Sequence, residues 1–338
     1  MSPYDSKEAV AKLGDTNPDF TEYLEAKKNE LHPVTKLPFS ALVELSRQHP
    51  LQEPPTSDHE SVVEIPMRDG YRSKIRIHKP ASSSATGLLV LLHGGGFCLG
   101  HNANVSVDSR VLASLYDITV VNISYRLAPE YKFPTAPNDV WDTLSWLTSA
   151  TNAQNLGIEL SGGLFIGGVS AGANLAAVTA QRWVTEKLQP AISGIWLNTP
   201  MLLDTAIVPE NLKEVWFSRE QNANAMIIDE KALHYIRTAY APDVFSPQYS
   251  PFNVENAHKG LPPVYIQVCG QDPLRDDGLV YEKVLRENGV QTKLDVYPGV
   301  PHGFADLFEG FFLVKKCQLD ILKGIGWLLG KTAQEESC

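Results

Sequence analysis

The sequence predicts an α/β protein built on an eight-stranded, mostly parallel sheet with helices on both faces. Three observations carry that reading. Short apolar runs at 88–92 and 264–268 have the composition of strands covered on both sides. From the third strand signal onward such runs alternate with helical patterns, the rhythm of βαβ crossovers. The first two strand signals are joined by Asp69-Gly70, a hairpin turn, so the sheet opens antiparallel.

Taken in order, residues 1–55 are polar and helical over 23–30, then apolar at 37–43. Strand signals follow at 60–67, 72–78, 88–93, 118–125, 164–169, 192–199, 263–269 and 291–297, with Ser82, Ser83 and Ser84 in a surface loop. A helix is expected over 173–184 and another over 278–287. Residues 201–250 break the rhythm, with helix candidates at 210–220 and 230–240. The stretch 304–329 is apolar but carries Asp306, Glu309, Lys315, Lys316, Asp320 and Lys323, as an amphipathic packing helix does.

Hydrophobic residues make up 43% of the 338 residues, enough for one large core or two smaller ones. The net charge of −10, without any basic stripe, argues against nucleic acid or an anionic membrane as partner. The first residues lack the apolar stretch of a signal peptide, and no apolar run approaches the ~18 residues of a membrane span. Cys98, Cys269, Cys317 and Cys338 are scattered without metal-ligand spacing, which fits reduced thiols in a cytoplasmic setting. With no phosphate-binding loop, zinc motif or dinucleotide fingerprint, no cofactor and no metal are expected. A homodimer stays open.

The chemistry concentrates in four places. Gly168-Val169-Ser170-Ala171-Gly172 lies between a strand signal and a helix signal, the context in which a sharp turn lifts a serine above a sheet edge. A serine in a glycine-rich turn is ordinary by itself; this strand–turn–helix setting is not. The hydroxyl needs an imidazole to take its proton, and donors for the oxyanion that follows attack. Ser170 is therefore the expected nucleophile and the Ala171 N–H one oxyanion donor. His93-Gly94-Gly95-Gly96-Phe97 closes a strand signal, and its glycines imply close backbone approach, so Gly95 and Gly96 are the other expected donors. His93 itself reads as structural. His302, in a Pro- and Gly-bounded loop after the last strand signal, is the expected base. Asp272 precedes it by one helix and one strand, and Pro273 holds it in extended backbone; Asp276 and Asp277 instead suit the first turn of the following helix.

These motifs together resemble the hormone-sensitive-lipase-like family of α/β-hydrolases. The resemblance rests on HGGGF at 93–97, YRLAPE at 125–130, GVSAG at 168–172, DPLRDDG at 272–278 and PHGF at 301–304, and covers the chain from about residue 60 onward. Val169 departs from the small polar or acidic residue usual there. The resemblance implies an α/β-hydrolase fold with a helical cap: residues 1–55 as its N-terminal part, 201–250 as an insertion, and 56–200 with 251–338 as the core. Phe97, Phe39, Trp216, Phe217 and Met226 are then candidate substrate contacts. The expected activity is hydrolysis of small to medium acyl esters, acetates or lactones through an acyl-enzyme. The alternatives are an acyltransferase or cyclase using the same three residues, and a ligand-binding receptor on an inactive fold.

Overall fold

The computed structural model describes residues 3–49, 54–82, 85–255 and 258–332, so Ser83, Ser84 and Cys338 lie outside the described residues. Its centre is one eight-stranded sheet in the order β1-β2-β4-β3-β5-β6-β7-β8. The strands are β1 (Glu60–Pro66), β2 (Arg72–His78), β3 (Leu88–Leu92), β4 (Thr119–Ile123), β5 (Leu164–Val169), β6 (Ile192–Asn198), β7 (Val264–Gln271) and β8 (Thr292–Pro301). β2 pairs antiparallel with β1 and β4, and every other pairing is parallel. This is the predicted fold class. Each strand lies within a few residues of its signal, β8 running on through Pro301.

Before the sheet come α1 (Lys7–Lys12), α2 (Pro18–Lys27) and α3 (Phe39–Gln48). Between and after the strands lie α4 (Ser109–Tyr116), α5 (Thr135–Thr148), α6 (Ala150–Leu156), α7 (Ala171–Thr185), α8 (Ser218–Gln221), α9 (Glu230–Tyr240), α10 (Arg275–Glu287), α11 (Phe304–Leu307) and α12 (Phe312–Leu328). The period-2 alternation of strand side chains sorts the core into two layers. Leu88, Val90 and Leu92 point to the face covered by α5, α7 and α10, whereas Leu89 and Leu91 point to the face covered by α4 and α12. Within the second layer the buried Trp196 indole donates to Gln267 Oε1, and Gln267 donates to the Tyr297 hydroxyl, so the polar atoms in this apolar layer are paired.

Three helix expectations are corrected. The helix expected over 23–30 runs over Pro18–Lys27, because Asn17 caps the N–H groups of Asp19 and Phe20 and Pro18 sets the first turn. Residues 210–220 form a 3₁₀ turn (Glu210–Val215) and the separate short α8, since their backbone N–H groups at Phe217 and Ser218 are taken by a carboxylate. The C-terminal stretch is two helices, broken near Gly310, whose φ of 86° lies in the left-handed region.

Candidate active site

All six parallel strands end at one sheet edge, and the expected residues gather there from different strands. Ser170 follows β5 with φ 56° and ψ −116°, a conformation costly for a non-glycine residue and held here by packing on all sides. Its N–H donates to the Asn198 carbonyl at 2.8 Å, fixing the turn against β6. The flanking glycines are required by contact: a Cβ on Gly168 would sit 2.5 Å from the Gly172 carbonyl carbon, and one on Gly172 would sit 2.3 Å from the His93 oxygen. Only with both bare can the elbow lie so close to the end of β3.

That closeness brings the three-glycine loop to the serine. A Cβ on Gly94 would lie 3.4 Å from Ser170 Cβ. Gly95 (φ 109°) and Gly96 (φ 57°) take positive φ, and the loop closes on itself through Cys98 and Leu99 N–H groups donating to the Gly95 carbonyl. Among the described residues, the N–H groups of Gly95, Gly96 and Ala171 make no hydrogen bond within the protein. Three donors left open beside one serine are what an oxyanion needs.

On the other side of β5, Asp272 follows β7 and His302 follows β8. His302 Nδ1 lies 2.7 Å from Asp272 Oδ2, and the other carboxylate oxygen accepts the Leu274 N–H at 2.8 Å. Asp272 is fully buried and His302 nearly so. Holding Nδ1 on the carboxylate turns Nε2 away from it, as a base facing a serine requires.

A family model described as the alpha/beta hydrolase fold matches residues 89–306. The chain belongs to the α/β-hydrolases. An AB hydrolase superfamily protein of Schizosaccharomyces pombe is 36% identical over 286 residues, 83% of this chain and 84% of that one. A versiconal hemiacetal acetate esterase of Dothistroma septosporum is 31% identical, covering 82% of this chain and 84% of its own. Among solved structures, a vibralactone cyclase superposes with a TM-score of 0.79 at 27% identity, over 96% of this chain and 97% of that one. Within the family the chain belongs to the hormone-sensitive-lipase-like carboxylesterases.

In this α/β-hydrolase the YRLAPE segment is a brace. The Tyr125 hydroxyl donates to the His93 carbonyl at 2.9 Å and its ring stacks on the His93 imidazole. Arg126 grips the buried Asp139 with two guanidinium nitrogens, and Glu130 pairs with Arg47 of α3. His93 is structural, as expected: its Nδ1 faces the Gly94 carbonyl, and burial pushes its pKa down to about 4, so the ring is neutral. Burial raises Cys98 and Cys317 to about 12 and holds Cys269 well above its ordinary value, leaving these thiols protonated and unsuited to attack.

The candidate substrate contacts separate. Phe97 stacks on Tyr240 at 4.0 Å and lines a cavity of about 270 Å³ with Met201, Leu203, Ile236 and Tyr249. Phe39 and Ile236 cover Gly96, where an added Cβ would meet them at 3.0 and 2.6 Å. Trp216, Phe217 and Met226 do not line this cavity. The Trp216 indole N–H donates to Asp277, and its ring packs with Leu203, Val208 and Leu212. Phe217 lies between the cations of Lys7 and Arg275, and Met226 packs toward the α12 layer.

Asp276 and Asp277 also differ from expectation. Rather than capping α10, they are fully buried and bind the segment between β6 and β7: Asp277 accepts the N–H groups of Leu202 and Leu203 and a contact from Arg219, while Asp276 accepts those of Phe217 and Ser218. Burial raises Asp277 to about 6 despite these donors. Asn174, one turn into α7, lies outside the sequence motifs; its amide donates to the Met201 and Tyr249 carbonyls, both at 2.7 Å. A polar side chain inside the apolar run 171–180 was the available signal.

Proposed function

We propose that this chain is a serine carboxylic ester hydrolase acting on small to medium acyl esters, acetates or lactones. Ser170 attacks the carbonyl carbon, His302 takes the hydroxyl proton and later gives it to the leaving alcohol, and Asp272 orients the imidazolium. The Gly95, Gly96 and Ala171 N–H groups hold the oxyanion. Water then attacks the acyl-enzyme with His302 as base, restoring Ser170. The observation that carries this reading is the buried Asp272–His302 contact at the edge where a strained serine stands beside three unengaged N–H donors. The similarity to a versiconal hemiacetal acetate esterase supports the short-acyl part of this reading. A cytoplasmic setting fits the reduced, buried thiols.

A second reading is favoured by the vibralactone cyclase neighbour: the same acyl-enzyme released by an alcohol or an internal hydroxyl, giving a transferred acyl group or a lactone. One experiment separates them. p-Nitrophenyl esters of increasing acyl length, and hydroxy-acid esters, are turned over with and without an acceptor alcohol, and products are identified by mass. Free acid as the main product, lost in Ser170→Ala, supports hydrolysis. Transesterified or cyclised product in excess of free acid supports the second reading.

A further inference from the structure

The short segment 217–222, between β6 and β7, is hydrogen-bonded to the loop that presents Asp272. The Phe217 and Ser218 N–H groups donate to Asp276 Oδ2 at 2.7 and 2.6 Å. The Ser218 hydroxyl donates to the Pro273 carbonyl at 2.7 Å. Gln221 Oε1 accepts from Arg275, and Gln221 Nε2 donates to the Ala11 carbonyl. Asn222 closes the set. Its amide nitrogen donates to the Gly270 carbonyl at 3.1 Å and to the Asp272 carbonyl at 2.9 Å, using both of its hydrogens on the backbone that carries the acid. Asn222 is 7% exposed and Ser218, Asp272, Arg275 and Asp276 are fully buried, so no water competes easily for these bonds.

We propose that Asn222 is a positioning residue for the acid, so that the insertion sets how well Asp272 holds His302. The inference rests on the reading of Asp272 and His302 given above. The carboxylate has one oxygen on His302 and the other on the Leu274 N–H, so its plane follows the backbone of 270–274, and Asn222 pins that backbone together with Arg275, which donates to the same Gly270 and Asp272 carbonyls. Releasing it lets the carboxylate swing and leaves the imidazole less often in the reactive tautomer and orientation. Substrate contacts formed by other segments are untouched.

The test is a double-mutant cycle on p-nitrophenyl acetate hydrolysis with Asn222→Ala in the wild-type and Asp272→Asn backgrounds. Alone, Asn222→Ala should lower kcat by about 10- to 100-fold with KM changed less than about twofold. In the Asp272→Asn background the same change should alter kcat by less than about twofold, because the group it orients no longer acts. Asn222→Asp, of the same shape but with acceptors facing two carbonyls, should be worse than Asn222→Ala. Equal losses in both backgrounds, an effect confined to KM, or an unchanged kcat would overturn the proposal. If Asn222→Ala does not fold, Asn222→Ser is put through the same cycle and decides by the same criteria. Retained turnover in Ser170→Ala would instead sink the triad reading, so the two failures are distinguishable.

Discussion

At the scale of single residues, the site depends on groups whose removal has separable consequences. Ser170→Ala should cost on the order of a million-fold in kcat while leaving the urea midpoint near wild type, and should abolish fluorophosphonate labelling. Asp272→Asn should cost about ten-thousand-fold through a misoriented imidazole. Asp276→Asn and Asp277→Asn belong to another class. Each carboxylate is fully buried and accepts several donors from residues 202–219, and an amide there turns one accepting oxygen into an N–H facing other N–H groups. Breaking such a buried charged set typically costs about 3–5 kcal/mol. The three variants should therefore split by assay, with activity lost at unchanged midpoint for Asp272→Asn and a lowered midpoint for the other two. Loss of activity at full stability in Asp277→Asn would contradict its assignment as a clamp.

At the scale of elements, α3 and α9 form the roof over the glycine loop. Phe39 of α3 packs against Tyr235 of α9, and Phe39 with Ile236 covers Gly96. Phe39→Ala should cost about 3–5 kcal/mol as a large buried truncation. It should also open a wall beside the oxyanion donors, so that the preferred acyl length in a p-nitrophenyl ester series shifts upward. An unchanged length profile would show that α3 does not bound the substrate. The strands were legible from sequence because both-face burial leaves unbroken apolar runs, as in β3, and period 2 needs few residues to declare itself. The Ser170, Asp272 and His302 motifs were legible because turn chemistry requires glycine and proline at fixed offsets. The walls of the cavity were not. Leu233, Ile236 and Tyr240 sit on one face of an amphipathic helix, and that pattern reads only as burial, without saying which apolar face meets a ligand and which meets the core. Asp276 and Asp277 were misread because a local role, helix capping, explains two acids in a first turn fully, whereas their partners at 202, 203, 217 and 218 are distant in sequence.

At the scale of the whole molecule, two buried groups give stability opposite pH dependences. His93 is held down to about 4, so below its ordinary value of 6.5 the unfolded chain takes a proton that the folded one refuses, and stability falls as pH drops toward 4. Asp277 is raised to about 6 from 3.8, so across that window the folded chain keeps a proton the unfolded one has lost, and stability falls as pH rises. The two contributions nearly cancel between about pH 4.5 and 6. In Asp277→Asn the His93 slope stands alone, and acidification from pH 6.5 to 4.5 should lower stability by about 2 kcal/mol more than in wild type. Urea midpoints at the two pH values measure it, and equal losses would show that Asp277 does not titrate there. Among the described residues no helix is long and apolar enough to cross a membrane.

The N-terminal segment is sewn to the far end of the chain. The Leu13 carbonyl accepts the Gly299 N–H, a Cβ on Gly270 would collide with that same oxygen, and the Tyr23 hydroxyl donates to the Glu309 carbonyl across a separation of 286 residues. During synthesis these partners emerge long after α1 and α2. At about 5–20 residues per second, the strap formed by α1 and α2 waits roughly 15–60 s on the ribosome before β8 and α11 exist to receive it. Phe20 and Tyr23, which end up packed on Phe308 and Phe311, spend that interval unpaired. The nascent chain should therefore be cut within residues 7–27 by a protease pulse until β8 and α11 have emerged, and resist cutting there afterwards.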